Sequence, residues 1–394
     1  MSKRILLATA ALAVGALTLT ACGGDADAKD DGGKKGSAAQ GADISISSKD
    51  GATDASINAT GVKVKGGKLT DVKMTQVSSG AAVEGTLASD GSSWKPKAQL
   101  ERGTKYKVTA NAKDGSGNEA TENATFTTVT SANSFIGTYT PDDGSKVGVG
   151  MPVSFTFDKP ITDKKAVQSH ITVSSDSGQK VVGHWFGTQR LDFRPQEYWK
   201  AGSKVTMKIA LDGVKGANNA TGVQNKTVTF TIGRAQVSTV DVKSHQMTVE
   251  RDGKVVKTIP ISAGSPSNPT YNGQMVISEK FTQTRMNGST VGFGGEYDIK
   301  DVPHAMRLSN SGTFIHGNYW GAPFGSGNTS HGCVGLQDAR GAGDPGTPGA
   351  WFFSNSMIGD IVTVKGSPDK TIAPDNGLNG WNMDWSAWTA GSAV

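Results

Sequence analysis

Apolar and polar residues alternate in short runs along most of the chain. Val62-Lys63-Val64-Lys65, Tyr106-Lys107-Val108-Thr109-Ala110, Val153-Ser154-Phe155-Thr156-Phe157 and Val228-Thr229-Phe230-Thr231-Ile232 each repeat at every second residue. In a strand, that period sends alternate side chains to opposite faces, so these runs predict half-buried strands. Gly, Asp and Ser separate the runs; Asp114-Gly115-Ser116-Gly117, ahead of the closing strand Ala124-Thr125-Phe126-Thr127-Thr128, is a strong turn. Val237 to Val249 and Val255 to Ile261 read as the two arms of a hairpin turning at Arg251-Asp252-Gly253-Lys254. Helix is expected only around Ala350 to Ser356 and in the tail. There, Trp381, Trp385 and Trp388 would fall on one helical face and form a packing stripe. The pattern predicts an all-β chain.

The strand pattern occurs twice before the chemistry begins. Gly103-Thr104-Lys105-Tyr106-Lys107-Val108 resembles the penultimate strand of an immunoglobulin-like sandwich, and Gly202-Ser203-Lys204-Val205-Thr206-Met207 holds the same place about a hundred residues on. Residues 43–130 and 131–233 are therefore expected to be tandem immunoglobulin-like sandwiches, followed by a mainly-β domain over 234–366 and a Trp-rich tail over 367–394. Neither sandwich carries a catalytic constellation. His170 and His184 are isolated, and Trp185 and Trp199 read as core. The modules read as spacers, with affinity for wall polymer left open.

Composition narrows this further. Glycine is abundant (52 of 394 residues) and charged residues make up only 19%, which argues against helical bundles and coiled coils. The first residues are an address. Lys3 and Arg4 precede an apolar run from Ile5 to Leu17, too short for a permanent span, which ends at Leu19-Thr20-Ala21-Cys22. Small residues before a Cys resemble the bacterial lipobox. Residues 1–21 are then a lipoprotein signal, Cys22 the lipidated first residue of the mature chain, and 22–42 a flexible tether. The expected location is the outer face of the cytoplasmic membrane, lipid-anchored and facing the wall. Losing Lys3 and Arg4 lowers the net charge from +5 to +3, too dispersed to argue for nucleic acid. The chain has two cysteines, so a lipidated Cys22 leaves Cys333 without a disulfide partner.

Cys333 stands in Asn328-Thr329-Ser330-His331-Gly332-Cys333-Val334-Gly335-Leu336, downstream of Phe314-Ile315-His316-Gly317-Asn318. A free thiol is only a few per cent ionised near neutrality, and an imidazole that takes its proton makes it a nucleophile. From the residues alone three readings stand: a Cys/His nucleophile, a metal site from His316, His331 and Cys333, or a structural thiol with incidental histidines.

His316 followed by Ser330-His331-Gly332-Cys333 resembles the signature of the L,D-transpeptidases, the YkuD-type catalytic domain. The signal, the two sandwiches and the Trp-rich tail resemble actinobacterial members of that family. Asn272-Gly273, Gly312 and Gly359 to Val364 also sit where the family has similar residues. The resemblance implies Cys333 as nucleophile and His316 as general base, held by the main-chain carbonyl of Gly317, where several relatives have Ser. It implies an oxyanion hole from the backbone of His331, Gly332 and Cys333, with His331 shaping the loop rather than serving as a second base. Gly335 replaces an Asn common in relatives. A glycine-rich lid over Gly288 to Gly295 would bring Tyr297 over the substrate, and Asn318, Trp320, Ser330, Met306 and Arg307 are candidate pocket residues. The implied reaction cleaves terminal D-Ala from a peptidoglycan tetrapeptide stem through a thioester. It then joins the acyl group to a neighbouring stem in a 3→3 cross-link, without metal or cofactor and with carbapenem-type β-lactams as covalent inhibitors. The alternatives are an L,D-carboxypeptidase on the same stem and an inactive lipid-anchored wall-binding protein.

Overall fold

The computed structural model describes residues 41–394. The expected export signal, Cys22 and the expected tether as far as residue 40 lie outside the described residues.

Two sandwiches come first. Strands Asp43–Ile46, Val62–Lys65, Ser93–Pro96 and Gly85–Leu87 form one sheet, and Gly67–Gln76, Lys105–Asp114 and Glu119–Thr127 another. They share a core of Val62, Val64, Trp94, Tyr106, Val108 and Phe126. Tyr106, Val108, Ala110 and Ala112 are buried while Lys107, Thr109 and Asn111 between them are exposed or half-exposed, as a half-buried strand requires. In the turn, Asp114 Oδ1 accepts from the N–H groups of Ser116 and Asn118, and Gly117 takes φ 85°. The second pair of sheets centres on Val153–Phe157, Arg190–Pro195, Lys204–Ala210 and Asn225–Ile232. Phe155, Phe157, Phe193 and Phe230 fill it together with Trp185 and Trp199. A short helix, Lys164–Ser169, was not expected here; Asp163 caps it by accepting from Ala166 N–H at 2.9 Å.

The core of the second sandwich runs on into the third domain through Val276, Ile361 and Trp381. At this junction Gly148 N–H donates to Ile358 O (2.7 Å) and Gly150 N–H to Gly359 O (2.9 Å). A Cβ at either glycine would collide with residues 359–361, so the backbones meet only because both lack one. Arg234 pairs with the buried Asp360 at 3.1 Å beside them.

The third domain is built on nine strands. In spatial order they are Gly273–Val276, Ile361–Lys365, Gln236–Asp241, Gln246–Arg251, Lys254–Ser262, Val334–Gln337, Phe314–Asn318, Asp298–Arg307 and Glu279–Asn287. The expected arm Val237 to Val249 is itself two strands. Asp241 Oδ1 accepts from Lys243 and Ser244 N–H, and His245 takes φ 55°, so side-chain capping makes a turn that apolar alternation does not reveal. The core of this domain holds Met247, Ile259, Met306, Ile315 and Leu336. The helix Pro348–Asn355 adds Phe352 to it; it starts with Thr347 as cap and Pro348 in the first turn.

The tail departs from the single helical stripe. Trp381 lies in a separate turn of 3₁₀-helix, and the α-helix covers only Trp385–Ala390. The three indoles converge on Arg194 instead, whose guanidinium lies 4.7, 5.4 and 4.3 Å from the rings of Trp381, Trp385 and Trp388. The tail packs on both the third domain and the second sandwich. Asn379 Nδ2 donates to Leu308 O in the third domain, while Trp388 Nε1 donates to Val182 O and the Trp388 carbonyl meets His184 Nδ1, both in the second sandwich.

Candidate active site

Two adjacent strands set the site. Phe314–Asn318 and Val334–Gln337 pair in parallel, with Ile315 opposite Val334 and His316 opposite Gly335. Cys333 immediately precedes the second strand, so His316 and Cys333 open into the same cavity of about 200 Å³. Parallel pairing of strands this far apart in sequence needs a crossover, and 319–333 supplies it as an irregular loop.

That loop is braced against Ala263 and within its own turn. Asn328 Oδ1 accepts from Ala263 N–H (2.9 Å), Ser330 N–H donates to Ala263 O (3.1 Å), and Ser330 Oγ donates to Cys333 O (2.6 Å). Gly332 takes φ 110°, a conformation costly for other residues. Ser330 is thus mainly a brace for the turn, although it also lines the cavity. Gly332 N–H donates to Ser330 Oγ at 3.1 Å, so it can join an oxyanion hole only by exchanging that bond.

His316 is buried, and its Nδ1–H donates to Gly317 O at 2.8 Å. This fixes the tautomer and leaves Nε2 as the basic nitrogen. Burial lowers the His316 pKa, partly opposed by the Gly317 carbonyl and by Asp338. Burial pushes the Cys333 thiol up to about 11, partly opposed by a backbone hydrogen bond with Phe314. Both shifts disfavour the charged forms, which favours a thiol beside a neutral base over a preformed thiolate–imidazolium pair. Cys333 Sγ contacts Gly312 O at 3.6 Å.

Other expected residues divide clearly. Tyr297, Asn318, Trp320 and His331 line the cavity. Trp320 is exposed and stacks on His316, with ring centroids 5.8 Å apart. Asn318 Oδ1 accepts from Gly321 N–H (3.0 Å), which shapes the turn at the mouth. Tyr297 lies 4.9 Å from the His331 ring, and burial, then the Cys333 and Glu296 charges, raise its pKa. His331 Nε2 meets Glu296 Oε2 at 2.9 Å and its ring packs edge-on against Phe293, so the turn before Cys333 touches the expected lid. Met306 is a correction. It is fully buried in the domain core, because its strand faces that side inward at this position. Arg307 points elsewhere and pairs with Glu279 at 2.7 Å. The apolar wall comes instead from Met286 and Ile299, with Ser262 and Thr329 adding hydroxyls. Thr329 sits one residue before the motif, whereas Met286, Ile299 and Ser262 lie far from it in sequence and only the pairing of distant strands reveals them. Among the described residues, no group of three or more His, Cys, Asp or Glu side chains is arranged to hold a metal ion.

A thiol and an oriented neutral imidazole in one cavity, beside a glycine turn with backbone donors, define a cysteine acyl-transfer site. The comparisons agree with that class. Residues 235–342 match the model of the L,D-transpeptidase catalytic domain, and residues 52–215, across both sandwiches, that of a bacterial Ig domain. L,D-transpeptidase 2 of Mycobacterium tuberculosis (strain CDC 1551 / Oshkosh) is 32% identical over 89% of this chain and 85% of its own length. L,D-transpeptidase 5 of M. tuberculosis (strain ATCC 25618 / H37Rv) is 30% identical over 84% and 73%. The solved structure of LD transpeptidase LdtMt1 in complex with imipenem covers 59% of this chain and 99% of its own, at a TM-score of 0.50 and 28% identity. The chain belongs to the L,D-transpeptidase family.

Proposed function

We propose that this L,D-transpeptidase forms 3→3 cross-links between peptidoglycan stems, with Cys333 as nucleophile and His316 as base. The observation that carries the assignment is their shared cavity, with His316 turned by the Gly317 carbonyl so that Nε2 is free to take a proton. His316 Nε2 accepts the thiol proton as Sγ bonds to the carbonyl carbon of the third, diamino acid residue of a tetrapeptide. The N–H of Cys333, flanked by those of Gly332 and His331, stabilises the oxyanion. Collapse breaks the C–N bond to terminal D-Ala, whose nitrogen takes the proton from His316, and a thioester remains. The side-chain amine of a second stem attacks that thioester and gives a proton to His316. The sulfur leaves as thiolate and recovers the proton. A β-lactam carbonyl offers the same electrophile, so carbapenems acylate Cys333.

Lipidation at Cys22 would hold this domain at the outer face of the cytoplasmic membrane. The Leu19-Thr20-Ala21-Cys22 sequence supports that placement. Incorporation of a labelled fatty acid, lost in Cys22→Ser, tests it.

The activity is tested by incubating purified protein with a disaccharide tetrapeptide and weighing the products. Loss of D-Ala with appearance of a cross-linked dimer is expected. D-Ala loss giving only tripeptide, even with excess acceptor, would make the protein an L,D-carboxypeptidase. No turnover would leave a wall-binding protein.

A further inference from the structure

Behind the His316 strand lies a buried polar cluster that the reaction scheme does not use. The Asp338 carboxylate has no exposed surface. Its Oδ2 meets His304 Nδ1 at 2.8 Å, and its Oδ1 accepts from Thr347 Oγ1 and from Ala339 N–H, each at 2.8 Å. The carboxylate fills the space beside Gly317 Cα so closely that any Cβ there would collide with it, and it bars a Cβ at Gly349 in the same way. Its own N–H donates to Asn318 O at 3.1 Å, which ties its loop to the end of the His316 strand. His304 is held at φ 48°, a left-handed backbone unusual for a non-glycine residue, with its ring 5.0 Å from Phe353. Strained conformations persist where surrounding structure holds them, and they cluster at functional sites.

We infer that Asp338, clamped by His304 and Thr347 against Gly317, is a positioning residue that fixes the Gly317 carbonyl and thereby the orientation of the His316 imidazole. Gly317 O is the acceptor of His316 Nδ1–H, so a carboxylate wedged against Gly317 limits how far that peptide can rotate. The same buried charge faces the imidazolium formed when Cys333 loses its proton. It supports that cation from the side opposite the substrate, and it acts in this direction on His316 in the resting protein. The titratable groups around His316 are Cys333, His331 and Tyr297 across the cavity and Asp338 with His304 behind; among the described residues no other charged side chain lines that cavity.

The inference rests on His316 acting as the base, and its test separates the two claims. In the full chain, Asp338→Asn keeps the size and an oxygen for Thr347 and Ala339, but it removes the charge. With Cys333→Ala as background, the NMR titration of His316 is expected to move to lower pH by at least half a unit. With Cys333 intact, kcat for D-Ala release is expected to fall about tenfold with KM held within twofold, and the acidic limb of the rate profile to move to lower pH. An unchanged His316 titration together with an unchanged acidic limb, with the loss confined to thermal stability, would overturn the inference. The titration needs no turnover, so it reads this claim even where the proposed activity fails. If Asp338→Asn does not fold, His304→Asn keeps the carboxylate and suits the left-handed backbone; kcat must fall with KM held, and unchanged kinetics would overturn the inference.

Discussion

The His331 imidazole lies 2.9 Å from the Glu296 carboxylate, so the turn that carries the nucleophile is tied to the loop above it. Phe293 and Tyr297 of that loop pack on the same ring, at 5.2 and 4.9 Å. This small aromatic cluster joins the end of the glycine-rich segment to the nucleophile turn, and Tyr297 carries it to the cavity wall. Glu296 is 60% exposed, and a pair this open is worth at most about 1 kcal/mol, or roughly a fivefold effect. Glu296→Ala is therefore expected to raise KM by up to about fivefold with little change in kcat, alongside faster amide exchange over 288–297. A hundredfold loss of kcat would mean that Glu296 takes part in the chemistry.

The titration of the free enzyme follows from two shifts in opposite directions. Burial raises the Cys333 thiol to about 11 and lowers His316. A thiol that ionises this late reacts with a small alkylating agent in proportion to its thiolate fraction. Alkylation of Cys333 is thus expected to rise nearly tenfold per pH unit from 7 to beyond 9. A plateau across pH 6 to 9 would reveal a preformed thiolate–imidazolium pair instead.

Much of this was legible in the sequence where local chemistry fixes structure. The motif implied that the carbonyl after His316 orients the imidazole, and Gly317 O does so; that Gly332 is needed for a φ of 110° is visible only in the folded turn. Alternation marked the strands of both sandwiches. It failed at Asp241 to Ser244, where side-chain capping turns the chain while apolar and polar residues go on alternating. It could not show which face of Asp298–Arg307 is inside, so Met306 was placed in the pocket when Met286, on the neighbouring strand, lines it. Asp338 and His304 meet only because strands distant in sequence pair, and no local pattern announces a contact made across a sheet.

Gly332→Ala isolates the backbone requirement of the turn. A Cβ there meets nothing closer than Pro269 O at 3.7 Å, so the penalty is conformational, about 1–2 kcal/mol. The expected outcome is a rate of Cys333 acylation reduced about tenfold, with thermal stability lowered by only a few degrees. Unchanged acylation would show that the φ of 110° is not needed.

The tail is a clamp between domains, and Trp388 is its anchor. It is fully buried, donates to Val182 O at 2.9 Å and stacks 4.9 Å from His184. Trp388→Ala is expected to cost about 3–5 kcal/mol, measured as a lower denaturation midpoint. Cys333 alkylation at low denaturant should be unaffected, because the indole contacts the second sandwich and not the cavity. A loss under about 1 kcal/mol would show that the tail is not anchored there.

The most direct measurement of the account as a whole is the mass of the protein during turnover of a peptidoglycan tetrapeptide, followed by peptide mapping after acid quench. The account predicts an acyl adduct of the stem lacking its terminal D-Ala, carried on the peptide containing Cys333 and absent in Cys333→Ala. It also predicts that His316→Ala slows formation of that adduct by at least a hundredfold. Turnover that persists in Cys333→Ala, or an adduct that maps to any other residue, would contradict it.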